Sequence, residues 1–456
     1  METFIRRTWL PVSAEVAYDW HLRPGAFSRL TPPWEQVRVV KGVHPLLEGS
    51  RVEIDVAMGP TWKRWIAEHR GFVPGRQFMD VQIAGPFASW THTHSLEPDG
   101  AGCILEDRIE YAVPLGAIGR MLGGGMVRRK LDRMFRYRHQ VTAADLALHQ
   151  SAGTRPMKIL VSGSTGLVGT ALVPLLMTAG HEVVRLVRSK AASPSKEMVH
   201  WDPSHGSIDT AGLEGLDAVV HLAGEPIAKG RWNAEKKRRI HESRGPATKL
   251  LCEALAKLKS PPKTLVSASA IGYFGNRGDE ILTEQSPPGS GFLVDVCRDW
   301  EEATAPAKLA GIRVVNLRVG VVLTPQGGAL KEMLTPFKMG VGGIMGSGKQ
   351  FWSWITLDDL LGSIVHSLNT EALAGPVNAV APQAATNRDF TKTLGKVLNR
   401  PTIFPMPGFA ARLLLGGMAD DLLLASAQVK PARLEETGYV FRHPELETGL
   451  RHVLGK

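Results

Sequence analysis

Three cysteines in 456 residues, Cys103, Cys252 and Cys297, stand far apart and form no C-x-x-C pair. That excludes a disulfide framework and a thiolate metal cluster, and it suits free thiols in a reducing cytoplasm. No uncharged apolar run reaches the roughly eighteen residues that a membrane span needs. The nearest approach, 409–424, is broken by Arg412, Asp420 and Asp421. The opening METFIRRTWLPVS has no apolar core of signal-peptide length, so cytoplasmic residence is the expectation. Also lacking is any basic stretch interleaved with aromatics, or a helix-turn-helix pattern, and no nucleic-acid partner is expected. The net charge of +10 gathers instead in 120–138 and 229–249, which read as solvated helix faces or, in the second, an anion site.

What is present is an ordinary folded composition, 43% hydrophobic and 21% charged, in a chain long enough for about two or three domains. Its most informative stretch is MKILVSGSTGLVG, 157–169. A short apolar strand enters three glycines spaced G-x-x-G-x-x-G, and a helical pattern follows. Glycine permits the sharp turn and lets the backbone approach a pyrophosphate, while the helix offers unpaired N–H groups and its positive dipole end. Gly163, Ser164, Thr165, Gly166, Leu167, Val168 and Gly169 are therefore candidate cofactor-binding residues. An NAD-preferring site places an acid near the end of the next strand, 182–187. This chain has Arg188, then Ser189 and Lys190. A guanidinium can grip a 2′-phosphate that an acid would repel, which favours NADP(H) over NAD(H). The competing reading makes Arg188 a solvated strand-end residue. Leu222, Ala223 and Gly224 close a buried strand with small residues, which lets the backbone lie against a ribose.

Strands are predicted at 158–162, 182–187, 218–222, 263–268 and 312–317, with helices around 168–179, 234–257 and 292–309. Their alternation predicts an α/β, Rossmann-like, doubly wound parallel sheet. One glycine motif is set aside. Gly343 to Lys349 matches G-x-x-x-x-G-K, but Gln350 cannot supply the magnesium-binding hydroxyl of a P-loop, and no buried strand leads into it. It reads as a loop forming a lip over the substrate cleft.

The small, polar segment 149–156 ends in Pro156 and reads as a linker. Before it, alternating residues predict antiparallel strands. Val52, Ile54, Val56 and Met58 share one face, as do Cys103, Leu105, Ile109 and Tyr111, with Asp107 interrupting the apolar set. A short helix is predicted near 13–20. A long one spans roughly 126–148, with Leu131, Met134, Phe135, Val141 and Leu148 as its apolar stripe. His92 and His94 share a strand face, but no third ligand stands at useful spacing, and no metal is expected.

Strand, helix, many strands and long helix, with the phrases LPVSAEVAYDWHLRPGAFSRLTPPW and FRYRHQVTAADLALH, resemble the START-like (polyketide cyclase and lipid-transport) superfamily. The resemblance implies an α+β helix-grip domain over 1–150, with an apolar cavity for a hydrophobic ligand. From 157 onward GSTGLVG, HLAG and SASAIGYFG, in that order, resemble the extended short-chain dehydrogenase/reductase superfamily. SRGPAT, FLVDVCRDWEEA, LRVGVVL, GKQFWSWITLDDL and KPARLEETGYVFRHPELETGL point to its atypical NAD-dependent epimerase/dehydratase-like subgroup, of undefined reaction. The implied organisation is a linker at 151–156, a cofactor-binding domain at 157–400 and a family-specific segment at 401–456.

Active members of that superfamily use serine, tyrosine and lysine, with Tyr-x-x-x-Lys on one helix face. The lysine charge lowers the phenol's pKa so that it can exchange a proton. By resemblance Ser269 matches the serine, but Leu293 and Cys297 hold the tyrosine and lysine positions. Arg244 stands where an asparagine usually supports the relay. Tyr273 is the nearest spare phenol, and Cys297 could act if Arg244 depressed its thiol pKa. Family position also places Asp202 near an adenine edge and Arg318 and Trp354 on the substrate side. Three readings follow: an NADP(H)-dependent epimerase or oxidoreductase with a non-standard site and a small-molecule substrate, an NADP(H)-binding sensor without turnover, and a carrier of lipid or aromatic ligands. Oligomeric state is not legible.

Overall fold

A computed structural model describes every residue except Val43, Thr154, 189–196, Lys229 and Arg231; the side chains of Leu122, Leu414 and Leu415 are likewise left aside. The chain divides into two compact units, residues 1–155 and nearly all of the remainder from Pro156.

In the first unit, β1 (Glu2–Leu10) leads to α1 (Ala14–Leu22) and α2 (Ala26–Leu30). Six strands follow: β2 (Val37–Lys41), β3 (Arg51–Met58), β4 (Thr61–Val73), β5 (Gln77–Ala84), β6 (Ser89–Asp99) and β7 (Gly102–Ala112). The unit ends in the long helix α3 (Gly116–Ala152). The seven strands form one antiparallel sheet in the order β1-β7-β6-β5-β4-β3-β2. Ser13 caps α1 by accepting from the Val16 N–H at 3.4 Å.

The inner sheet face and α3 enclose an apolar cavity of about 340 Å³, lined by Val52, Ile54, Val56 and Met58, the four residues whose alternation marked a buried face. On α3, Leu131, Phe135 and Val141 are buried as predicted. The helix is longer than predicted at both ends: it passes through Gly123, Gly124 and Gly125 and takes in His149 and Gln150, which the sequence reading assigned to a linker. Where α2 meets α3, the buried Arg29 donates to both carboxylate oxygens of Asp145, at 2.7 and 2.9 Å.

The second unit opens with β8 (Lys158–Ser162), α4 (Leu167–Thr178), β9 (Glu182–Val187), β10 (Met198–Asp202), β11 (Ser207–Ile208) and β12 (Ala218–His221). It continues with α5 (Ala234–Glu242), α6 (Gly245–Ala256), β13 (Thr264–Ala270), β14 (Ile281–Leu282), α7 (Phe292–Glu302), α8 (Ala305–Leu309) and β15 (Arg313–Val319). Beyond lie β16 (Val321–Leu323), α9 (Gly328–Lys338), β17 (Phe351–Trp352), β18 (Trp354–Thr356), α10 (Leu357–Asn369) and β19 (Gly375–Ala379). The main sheet runs β11-β10-β9-β8-β12-β13-β15-β19. Every neighbouring pair is parallel except the β10–β11 hairpin.

Strand order reverses at β8, so a crevice opens between the carboxyl ends of β8 and β12, where such sheets bind ligands. The core strands are largely apolar, as strands covered on both faces must be, with polar residues such as Ser162, His221, Ser269 and Arg318 toward their carboxyl ends. Ile159, Leu160, Val161, Val219 and Val220 are fully buried.

Candidate functional site

The glycine turn lies at that crevice, and each glycine has its own reason. Gly163 has φ +65°, and a Cβ there would stand 2.8 Å from the carbonyl carbon of Leu222 and 2.9 Å from Ala223 N. At Gly169 a Cβ would lie 2.3 Å from Gly163 O, so the third glycine lets α4 pack onto the turn. Gly166 is exposed, and its only close neighbour would be Gly163 O at 3.2 Å. The outer side of the turn is therefore open for a phosphate to approach the backbone.

Below the turn, Ser162 Oγ accepts from Leu222 N at 3.0 Å and Ala223 N at 3.2 Å. With both acceptor directions used, its proton goes to His221 Nδ1 at 2.7 Å. His221 is thereby the Nε2–H tautomer, donating to Thr248 Oγ1 at 2.9 Å. Burial holds its pKa down to about 4, so the ring is neutral. Leu222 and Ala223 are thus fixed against the turn from beneath.

Arg188 follows β9 at the carboxyl end of the strand beside β8, and it is exposed. His200 Nε2 donates to its carbonyl at 2.8 Å, which leaves the guanidinium out of that contact. Ser189 and Lys190 lie outside the described residues. Asp202, the candidate adenine contact, has its carboxylate in local hydrogen bonds. Its carboxylate accepts from Ser204 N at 3.0 Å and contacts His205 Nδ1 at 2.8 Å, closing the β10–β11 hairpin. Hydrogen bonds from Ser204 and His205 hold its pKa at about 2. That carboxylate is engaged in its own turn.

Beyond the crevice, Ser269 and Arg318 are direct partners across β13 and β15. Glu301, on α7, joins them. Ser269 Oγ donates to Glu301 Oε1 at 2.8 Å, and Arg318 donates to both oxygens at 2.7 and 2.8 Å. The Arg318 guanidinium lies 3.5 Å above the ring of half-buried Tyr273. The guanidinium grips Glu301 through two charge-assisted hydrogen bonds, and the serine's only proton is spent on the same carboxylate. Tyr273 belongs to a single 3₁₀ turn, Ile271–Phe274, while Arg277 pairs with Glu280 at 2.6 Å, so the two form no helical pair.

Glu301 was missed in the sequence. Its signal was there: Leu293, Cys297 and Glu301 recur every fourth residue along one face of α7.

Cys297 does not carry the chemistry proposed for it from the sequence. Burial and the Glu301 carboxylate push its thiol up to about 12, and the opposing pull of Arg244 is the smaller effect. Arg244 is instead a clamp. It donates to Ile240 O at 3.0 Å and Glu225 O at 3.1 Å, packs over Trp300 at 4.9 Å, and would touch a Cβ on Gly224 at 3.3 Å.

Trp354 is a second correction. It is fully buried in an apolar cluster with Leu323, Leu330, Phe390 and Leu450, and cannot touch a ligand in the cleft. Gln350, where a P-loop needs a hydroxyl, ties its loop to Met345 O and Leu423 O at 2.9 and 3.2 Å.

Three stretches match known families. These are polyketide cyclase / dehydrase and lipid transport at 10–135, NAD dependent epimerase/dehydratase at 159–379, and a domain of unknown function, DUF1731, at 406–453. An epimerase family protein of Mycobacterium bovis is 41% identical over 295 residues, 65% of this chain and 97% of that protein. Human epimerase family protein SDR39U1 is 38% identical over 303 residues, 65% of this chain and 100% of its own length. Among solved structures, a nucleoside-diphosphate sugar epimerase of Corynebacterium glutamicum superposes with TM-score 0.81 at 34% identity, over 99% of this chain and 90% of that one. Human SDR39U1 (isoform 2) with NADPH gives 0.60 at 37% identity, over 65% of this chain and 99% of that one.

Proposed function

Because the chain belongs to the NAD dependent epimerase/dehydratase family, with an N-terminal polyketide cyclase-type domain, we propose that it binds NADP(H) at the β8–β12 crevice and acts there without the usual serine–tyrosine–lysine relay. The observation that carries the binding is the turn itself: two of its three glycines exclude a Cβ on backbone grounds, and the third is left open. Residues 163–169 and the Leu222–Ala223–Gly224 backbone would hold the dinucleotide, with Arg188 at its 2′-phosphate. The solved relative with NADPH supports that choice of cofactor. When bound, the nicotinamide supplies hydride exchange, and this chain's residues must orient the substrate and manage the proton.

Titration calorimetry of the full chain with NADPH and NADH tests the preference. NADPH should bind at least about tenfold more tightly, and Arg188→Asp should abolish the difference. Equal affinities in the native chain would sink the assignment.

A second reading, a cofactor-holding protein without turnover, is favoured by the Ser269–Glu301–Arg318 arrangement. A serine that donates to Glu301 has no proton left for a substrate oxygen, and the thiol at 297 is no acid at neutral pH. Bound NADPH, followed by its fluorescence against nucleoside-diphosphate sugars and small carbonyl compounds, separates the two. Oxidation that Tyr273→Phe slows, or formation of an epimer from a supplied sugar nucleotide, supports the enzyme; NADPH unchanged with no epimer formed supports the holder.

A further inference from the structure

The inner sheet face of the first unit carries a polar row that the dinucleotide site does not use. The register sets His69 on β4 opposite Asp80 on β5, Asp80 opposite His92 on β6, and His94 opposite Asp107 on β7. Direct cross-strand partners share a face. The four histidine and aspartate side chains other than Asp80 are buried, Asp80 is half-buried, and His69, Asp80, His92 and His94 form one wall of the largely apolar cavity, whose lining also includes His21, Glu35, Lys130 and Arg138.

Three atoms of this row converge. His92 Nδ1 lies 3.7 Å and His94 Nε2 3.3 Å from Asp80 Oδ2, and one atom from each residue falls within 4.8 Å of the others. Ligands about 2.0–2.2 Å from a tetrahedral zinc stand roughly 3.3–3.6 Å apart. The far sides of the rings are supported as well. His92 Nε2 is bonded to Asp107 Oδ1 at 3.0 Å, and His94 Nδ1 lies 2.7 Å from the same oxygen, at an angle outside good hydrogen-bond geometry. Asp107 Oδ2 is held by His139 Nε2 at 2.9 Å, and Asp80 Oδ1 meets His69 Nε2 at 3.1 Å. A carboxylate behind a ligating imidazole fixes its tautomer and turns a lone pair toward a metal.

Asp107, as a carboxylate, can only accept, so His92 donates from Nε2 and leaves a bare lone pair at Nδ1. That lone pair faces the Asp80 carboxylate across 3.7 Å. Two acceptors facing each other in a buried site repel unless a positive charge lies beside them, supplied either by a proton on His94 Nε2, 3.3 Å from Asp80 Oδ2, or by a bound cation. We propose that Asp80, His92 and His94 form a site for a divalent cation of the zinc class, with Asp107 as positioning residue and a fourth coordination position open to the cavity. An oxygen, from water or from an apolar ligand lodged in the cavity, would complete the shell.

The test uses the full chain, stripped with a chelator and titrated with Co²⁺ and then Zn²⁺. The native chain should take up about one equivalent of Co²⁺, with the visible absorption of a four- or five-coordinate site, and Zn²⁺ should displace it. Asp80→Asn and His94→Gln should weaken binding at least about 100-fold, and Asp107→Asn about 10–100-fold. Circular dichroism and NADPH affinity of each variant should match the native chain. Failure of the native chain to bind either ion stoichiometrically overturns the proposal, whether or not the variants fold. So does binding that Asp80→Asn and His94→Gln leave unchanged, which would place the ion elsewhere in the chain.

Discussion

Single side chains decide what the crevice can do. Glu301 is the hinge of the Ser269–Glu301–Arg318 arrangement, because it accepts from both partners. Glu301→Gln would leave a buried guanidinium without its counter-charge, at a cost of roughly 3–5 kcal/mol. Ser269→Ala removes one hydrogen bond and should cost about 1 kcal/mol. Denaturant unfolding should therefore separate the two variants clearly, and equal losses would show that Arg318 finds another partner. His221 gives a pH signature. It is held at about 4 when folded, against an ordinary 6.5, by burial. The unfolded chain thus binds its proton first as pH falls. Stability from this residue is complete above about 6.5 and is lost as pH drops toward 4, on the order of 3 kcal/mol in all. His221→Asn should flatten that part of the unfolding-versus-pH curve.

Elements were legible to different depths, and the turn after β8 shows why. Its spacing announced a dinucleotide turn, yet the three glycines differ in ways that only the fold reveals. Gly163→Ala and Gly169→Ala drive a Cβ into backbone atoms that cannot rotate away, and each should lower the unfolding free energy by more than about 1 kcal/mol. Gly166→Ala should fold normally and lose NADPH affinity by about tenfold or more, read by calorimetry. Strands β8, β9, β12, β13 and β15 were placed within about two residues at each end by their apolar runs, whereas β19, which opens on Gly375 and Pro376, was not predicted. The start of α3 was misread at Gly123–Gly125, since each glycine costs about 1 kcal/mol of helix propensity, yet the helix runs through all three. Asp80 was missed for another reason. It lies twelve residues before His92, and only the β5–β6 register makes the two direct partners.

At the scale of the whole molecule, each unit has its own apolar core and its own candidate ligand site. No described helix is long and apolar enough to cross a membrane. Ligands that bind only the folded chain should register as stability. NADPH at about a hundred times its dissociation constant should add about 2.7 kcal/mol to unfolding. The same concentration of NADH should add measurably less in a thermal melt, and an identical shift would remove the case for Arg188. The family and both folds could be read from motifs, because motifs are local. Which acid, base or metal each site commands could not, since Glu301 and Asp107 act only on residues brought beside them from elsewhere in the chain.

The hairpin that occupies the Asp202 carboxylate bears on how these molecules behave in a crowd. A long open edge on a parallel sheet is a template on which another chain can add a strand, the first step toward aggregation. Here that edge is occupied by β11, only two residues long and running against its neighbour. A rung that short offers an incoming strand almost no ladder to grip. The carboxylate that closes this turn thus helps to blunt one edge of the sheet.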